Sequence, residues 1–365
     1  MFKIVKKDES SKWQSFKLRI LAVFGALIAS SVIMLAFGYN PIEIYYKIIE
    51  GSTQTKYRLI ETFNKTIPLI VLSLGIAVAF KMKFWNIGAE GQFYMGAFGA
   101  ALIAFTFKDL PMIIMLPAMA VSAGIFGGLC AFIPGILKAK FNTSETLVTL
   151  MLNYIVIRWI SYLQYGPWKD PAAKGFARIA RFTEAAVLPK LFGVHIGWII
   201  ALILSITIFI LFNYTKLGYE ITVIGENVKT AQYAGINVNK TIVLAVIISG
   251  GICGIAGMMQ ASAIERSLSE QLSGGLGFTA IITTWLAQLS PIGIIITSFL
   301  FAMLLQGGAY LQSALQIPSA VADILQGAIL FFVLSSEFFT KYRILTRKHL
   351  EKETIGLQKG GEKVG

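Results

Sequence analysis

The sequence predicts an all-α polytopic membrane protein with about ten transmembrane segments in two pseudo-repeats, some of them broken near the midplane. Three observations predict it. Of the 365 residues, 56% are hydrophobic and only 14% charged, against roughly 25% charged in soluble domains. The apolar residues gather in ten runs with charged residues clustered between them. Two of the runs are too short to cross a bilayer, and each is followed by a polar or Gly/Pro break and then another apolar run.

The runs fall at about 18–38, 66–80, 91–107, 111–137, 145–165, 196–212, 241–262, 276–289, 291–307 and 318–339. The first follows basic residues as a leader would, but Ile20 to Phe37 is about 18 residues, the length of a spanning helix. An even count puts both ends on one side. Twenty of the 32 Lys and Arg fall on that side, eleven on the other, and Arg158 within a run. The bias makes both termini cytoplasmic. The chain then divides into a cytoplasmic N-tail (1–17), a transmembrane domain (18–339) and a cytoplasmic C-tail (340–365). Residues 39–65 and 166–195 are the long extracytoplasmic segments.

The short runs are Thr66 to Phe80, with Pro68 near its start, and Gly277 to Leu289, which stops at Ser290-Pro291. At 1.5 Å per residue each covers about 20–23 Å of a roughly 30 Å core. The breaks are expected near Phe84–Gln92 and Ala287–Ile292. Outside the core, Ile42, Ile44, Tyr45, Ile48 and Ile49 could share one helical face. Residues 174–192 read as a second amphipathic helix, with Phe176, Ile179 and Phe182 on one side and Arg178 and Arg181 on another. Such helices lie in the interface or form a platform for an extracellular partner.

Asn213 to Lys240 is a polar loop between two apolar runs. It holds a short punctuated helix: Asn227 is a good N-cap, Val228 to Ala234 has no breaker, and Gly235 can close it in the left-handed conformation. A rigid polar knob on a membrane bundle is a handle for another protein.

Several function classes drop out. The net charge of +13 comes without a basic stripe interleaved with aromatics, so no nucleic-acid partner is expected; membrane lipids are. Cys130 and Cys253 lie in apolar runs without metal spacing and read as packing residues; His195 and His349 fall in loop and tail. No metal site and no catalytic constellation is predicted. No G-x-x-x-x-G-K-[ST] occurs, so the chain must take its energy from a partner or an ion gradient, or conduct passively. Gly250 and Gly254 have the spacing of close helix packing.

Of the ionisable residues at or in the runs, where such groups default to functional hypotheses, four stand out: Glu90, Glu145, Arg158 and Asp323. Glu145 after Thr143-Ser144 reads as part of a helix cap. Arg158 reads as paired with an acid across helices or snorkelling, and Asp323 as a hydrogen-bonding group near a span end. Glu90 lies in the first break with Asn86 and Gln92, either bound to substrate or steadying the broken backbone.

Two stretches carry a resemblance. One is Phe84-Trp85-Asn86-Ile87-Gly88-Ala89-Glu90-Gly91-Gln92. The other runs from Gly225-Glu226-Asn227 to Tyr233-Ala234-Gly235-Ile236 and on to Ser249-Gly250-Gly251 and Gly254-Ile255-Ala256-Gly257. With Leu152-Asn153-Tyr154 and Gly275, Gly277 and Phe278, they resemble, over about residues 60–335, the permease subunits of bacterial ABC importers for nucleosides and simple sugars. That group is related to the ribose and branched-chain amino acid permeases. The first stretch points to the nucleoside branch.

The resemblance implies a plasma-membrane permease that is not itself an enzyme and binds no cofactor. ATP and Mg would be used by cytoplasmic ATPase subunits gripping Gly225, Glu226, Asn227, Ala231, Tyr233, Ala234, Gly235 and Ile236. A second homologous permease, giving a heterodimer, and an extracytoplasmic substrate-binding lipoprotein complete the implied assembly. One departure stands out. Relatives often carry an acid after the Gly-Phe pair and a Gly-rich turn further on; here Thr279 and Ala287-Gln288 stand there. For a nucleoside, Phe84, Trp85 and Trp285 could stack on the base, and Asn86, Glu90, Gln92, Asn153 and Gln288 could hydrogen-bond. The same residues could equally be lipid-facing or core groups. The competing class is an ion-coupled secondary transporter, for which Glu90 and Asp323 would have to serve as the relay.

Overall fold

The computed structural model describes residues 3–6, 12–173, 175, 177–318 and 320–345. The rest, including Lys174, Phe176, His349 and the tail expected at 346–365, lie outside the described residues. The chain forms two compact units, residues 47–310 and the combined end segments 1–46 and 311–365.

The end-segment unit holds a short strand β1 (Lys3–Lys6), helix α1 (Lys12–Ala36) and the start of α2 (Pro41–Thr53). Tyr45 donates its hydroxyl to the Leu27 carbonyl at 2.8 Å, tying α2 to α1.

The larger unit begins within α2 and continues through α3 (Lys56–Lys81), α4 (Ala89–Thr106), α5 (Met112–Phe141) and α6 (Glu145–Tyr165). A two-residue hairpin follows, β2 (Lys190–Leu191) and β3 (Val194–His195), then α7 (Gly197–Tyr214), α8 (Lys216–Glu226), α9 (Val228–Tyr233) and α10 (Val238–Met259). After α10 a π-turn covers Gln260–Glu265; α11 (Leu276–Leu286) and α12 (Pro291–Leu315) come next. Helix α13 (Ala320–Lys341) and strand β4 (Tyr342–Leu345) return to the end-segment unit, where β4 pairs antiparallel with β1 and Gly25 of α1 faces the Phe332 ring of α13.

Every one of the ten apolar runs is helical, yet only six described helices, α3, α5, α6, α7, α10 with its π-turn and α12, are long and apolar enough to cross a membrane; α1 with α2, as one bent span, makes a seventh. α11 and the apolar start of α13 are shorter. α4 opens on Glu90 and Gln92, which dilute its apolar character.

The first short run is a correction. α3 does not begin at Thr66. Thr55 caps it, accepting from the Arg58 N–H at 3.2 Å, and it runs 26 residues straight through Pro68. Its charged first turns hid the start. The predicted face on α2 also splits: Ile44 and Ile48 are buried, Ile42 and Ile49 exposed. The helix expected at 174–192 is absent from the described part of that stretch. The segment is a Lys169–Ile179 bridge, a 3-10 turn at Glu184–Ala186 and the hairpin. Its backbone is satisfied from elsewhere: Phe182 N–H donates to the Arg266 carbonyl at 2.9 Å and Leu188 N–H to Ser262 Oγ at 3.1 Å. Ile179 and Phe182 are still buried, and Arg178 meets Asp170 at 3.5 Å.

The core of this unit is α10 laid against α3, α4 and α5 with almost no side chain between. A methyl group on Gly254 would overlap the Ala123 carbonyl, and one on Gly257 the Phe93 carbonyl. Close backbone approach through small residues is how helices associate where lipid removes the hydrophobic drive. Gly254→Val should therefore lower stability by about 1–3 kcal/mol or more, read as a lower melting temperature in detergent, while Ile255→Val should change it little.

At the hairpin, His195 is buried with neither ring nitrogen bonded to a described residue. Burial holds its pKa down at about 4, against the pull of Asn64 and with help from nearby Lys190. The unfolded chain binds the proton near pH 6.5 and the folded chain only near 4. Stability should be full above pH 6.5 and fall as pH drops towards 4; His195→Gln should flatten that part of the melting-temperature profile.

Candidate functional site

Between α3 and α4 the chain leaves helical geometry for residues 82–88, and between α10 with its π-turn and α11 for residues 266–275. Broken backbone at membrane depth survives only where protein groups or a water-filled cavity satisfy it. Here side chains do so, and α4 and α11 meet N-terminus to N-terminus.

Glu90, in the first turn of α4, is 4% exposed. One carboxylate oxygen accepts from Gly277 N–H at 2.8 Å and the other from the Ser273 hydroxyl. Gly277 lies in the first turn of α11 and has no room for a side chain against Glu90. A single carboxylate thus faces the positive ends of two helices, the favoured place for an anion. Tyr94, one turn on, donates to the Glu270 carbonyl at 2.6 Å and accepts from Ser273 N–H at 3.2 Å.

Asn86 and Gln92 form a reciprocal amide pair with both bonds at 2.9 Å. Asn86 also accepts from Gly88 N–H at 3.1 Å and donates to Ser249 Oγ of α10 at 3.2 Å. From α6, Asn153 accepts from Gly91 N–H at 2.8 Å and donates to the Ile87 carbonyl at 2.9 Å. The structure therefore brings Asn86, Glu90, Gln92 and Asn153 together, buried, with their polar groups engaged by the chain itself. Phe84 is buried beside them.

Trp85 and Trp285 stand apart from this knot. Their rings stack with centroids 5.4 Å apart, each against Phe80, and Trp85 is 43% exposed. Gln288 is exposed in the turn after α11, where it and Leu289 both have φ near +57°. That is a conformation glycine takes freely and other residues rarely, and this chain adopts it at the position where the sequence departs from a Gly-rich turn. Ser273 and Tyr94 escaped the sequence reading, and Ser249 entered it only as part of the second stretch of the resemblance.

The polar loop is almost wholly helical. Thr215 caps α8, accepting from Gly218 N–H at 3.1 Å, a helix the sequence reading missed. Asn227 caps α9, accepting from Lys229 N–H at 2.9 Å and Thr230 N–H at 3.3 Å. Gly235 closes it at φ +75°, and Ile236 N–H reaches back to the Ala231 carbonyl at 3.0 Å. Ala231 is buried; Glu226, Ala234 and Tyr233 are exposed, Tyr233 at 93%. Gly225, buried at the end of α8, packs on the last carbonyl of α3, Lys81. A groove beside α9 is lined by Met82, Lys83, Phe84, Lys138, Glu145 and Glu226. Glu145 pairs there with Lys138 at 3.0 Å, while Ser144 is the N-cap of α6. Asp323 is exposed in the first turn of α13.

Several spanning helices, two half-helices sewn tip to tip and a capped polar knob define a multi-pass membrane transport subunit. The sequence profile of the branched-chain amino acid transport system / permease component family matches residues 58–334, and the chain belongs to that family. It is 32% identical to the nucleoside ABC transporter permease protein NupB of Lactococcus lactis subsp. cremoris, over 94% of this chain and 96% of that one. It is 32% identical to the guanosine ABC transporter permease protein NupP of Bacillus subtilis, over 87% and 92%. The glucose ABC transporter permease protein TsgB13 of Haloferax volcanii is 28% identical over 91% and 90%. The chain is a permease subunit of an ABC importer, a transport component rather than an enzyme.

Glu90→Gln keeps an acceptor for Gly277 N–H and a polar group for Ser273, whereas Glu90→Ala strands both. Glu90→Ala should destabilise the detergent-purified chain by about 1–3 kcal/mol more than Glu90→Gln, measured by thermal unfolding.

Proposed function

We propose that this permease moves nucleosides inward across a bacterial plasma membrane, by alternating access driven by separate ATPase subunits that use ATP and Mg. The observation that carries the reading is the geometry of α8 and α9. An almost fully exposed Tyr233 sits on a capped turn, and Gly225, at the junction of α8 and α9, bears on the end of α3. From there a seven-residue link, 82–88, reaches the Glu90 junction. Tyr233, Ile236 and Glu226 are the groups we assign to the ATPase groove, with Asn227, Gly235, Ala231 and Ala234 shaping the turn.

The nucleoside class is supported by the Phe84–Gln92 stretch and by the substrates for which NupB and NupP are named; the glucose relative keeps simple sugars as the alternative. Trp85, Trp285 and Gln288 are the substrate contacts we propose, since they combine two flat rings, one exposed and one half-buried, with an exposed amide. Asn86, Glu90, Gln92 and Asn153 we assign to holding the break open. The opposed half-helices α4 and α11 support two pseudo-repeats and, with the shorter helices counted, ten crossings with both termini cytoplasmic. The assembly we infer has a second, different permease and an extracytoplasmic binding lipoprotein. The ion-coupled alternative would need Glu90 free to load and release a cation, while Ser273 and Gly277 hold both its oxygens.

Tyr233→Ala removes a side chain with almost no contact inside this chain, so the amount of permease in the membrane should be unchanged. Nucleoside uptake by the whole transporter should fall at least tenfold; normal uptake would sink the coupling role of α9.

A further inference from the structure

Four helices of the 47–310 unit turn a face outward. Three of those faces expose apolar side chains over their middle turns: Val121 and Ile125 on α5, Ile203 and Ile206 on α7, Ile296 and Leu300 on α12. They suit lipid tails. The fourth, on α6, does not. Its inner side, with Thr149, Asn153, Val156 and Ile160, is buried. Its outer side exposes Met151, Tyr154, Arg158, Tyr162 and Tyr165.

Two of these residues are misplaced for lipid. Tyr154 is the tenth of the helix's 21 residues, near its middle, whereas tyrosines facing lipid belong at the interfaces. Arg158 is the fourteenth, about 10 Å from one helix end and 20 Å from the other. Among the described residues it makes no ion pair and no hydrogen bond. A bare arginine at that depth is costly unless something pairs with it.

We propose that the outer face of α6 is the seam with a second permease chain of different sequence, whose helix supplies a carboxylate or other acceptor to Arg158. This rests on the pairing of permeases proposed above. Charge complementarity selects the partner. A second copy on a two-fold axis would set each patch against itself and bring Arg158 against Arg158. A non-identical chain can place an acceptor opposite.

The test uses the intact transporter in native membranes. Photoreactive benzoylphenylalanine replaces Met151 or, as control, Ile203 on α7, with a second pair of strains carrying Arg158→Gln or Arg158→Lys. From position 151, illumination should yield a product whose peptides come from this chain and a different chain of the same family. Its yield should exceed that from 203 at least tenfold. Arg158→Gln should cut it about tenfold with unchanged membrane levels, and Arg158→Lys should cut it far less. A product of two copies of this chain, adducts with lipid alone, or a product from 203 instead overturns the assignment while leaving the pairing in place. An unchanged yield in Arg158→Gln overturns the role of the arginine. A transporter that purifies without any second permease overturns the pairing itself, and the seam with it.

Discussion

A helix that breaks inside a bilayer leaves backbone N–H and C=O groups that water cannot reach, and each unsatisfied group costs several kcal/mol. Two non-helical links, 82–88 and 266–275, adjoin in this chain where the first turns of α4 and α11 meet, and the rest of the structure depends on how their backbone groups are satisfied. The Glu90 carboxylate joins the first turns of α4 and α11, the Asn86–Gln92 amide pair fixes the approach to α4, and Asn153 grips that approach from α6. Remove the carboxylate and two helix N-termini face each other with their partial positive charges unopposed.

This closure constrains how motion can pass through the molecule. α10 is bound to α4 and α5 through glycine faces that admit no side chain, so that part of the core has little room to deform. The link 82–88 and the turn 287–290 lie outside it. Both carry non-glycine residues with left-handed backbone, Lys83 in the first and Gln288 and Leu289 in the second. Backbone held in sparsely populated regions is the kind that switch segments store. Trp85, within the link, stacks on Trp285, in the last turn of α11 just before the turn 287–290.

The helical plan was legible because hydropathy alone marks lipid-grade segments, and all ten runs are helical. What stayed hidden had physical causes. The start of α3 is charged, from Lys56 to Lys65, and mimics a loop. α8 was masked by Gly218 and Gly225, which look like breakers but serve close packing on the Leu211 and Lys81 carbonyls. The 174–192 stretch has helical spacing of apolar residues, yet its backbone bonds go to Arg266 and Ser262 instead. At the junction, the polar residues of the first break could be picked out; their use could not. Amides and carboxylates that bind a ribose hydroxyl bind a backbone N–H equally well. Only the arrival of Ser273 and Gly277, more than 180 residues along the chain, decides between the two.

The proposed coupling helices touch both α3 and α10, and the two contacts differ in kind. Thr241 donates to Glu220 at 2.8 Å, so α8 is tethered to the start of α10 by one side-chain bond. Gly225, by contrast, sits with its backbone against the Lys81 carbonyl, where no side chain could cushion a displacement. In the proposed coupling, a push on α9 meets the end of α3 directly through Gly225, at the junction of α8 and α9. Because α10 is locked to its neighbours, the movement must be taken up in the link 82–88. Asn86 lies within that link, and Glu90, two residues past its end, holds the first turns of α4 and α11 together. Coupling of this kind needs no rearrangement of the packed core. It needs only that one short loop have two ways to lie between a fixed helix and a fixed carboxylate.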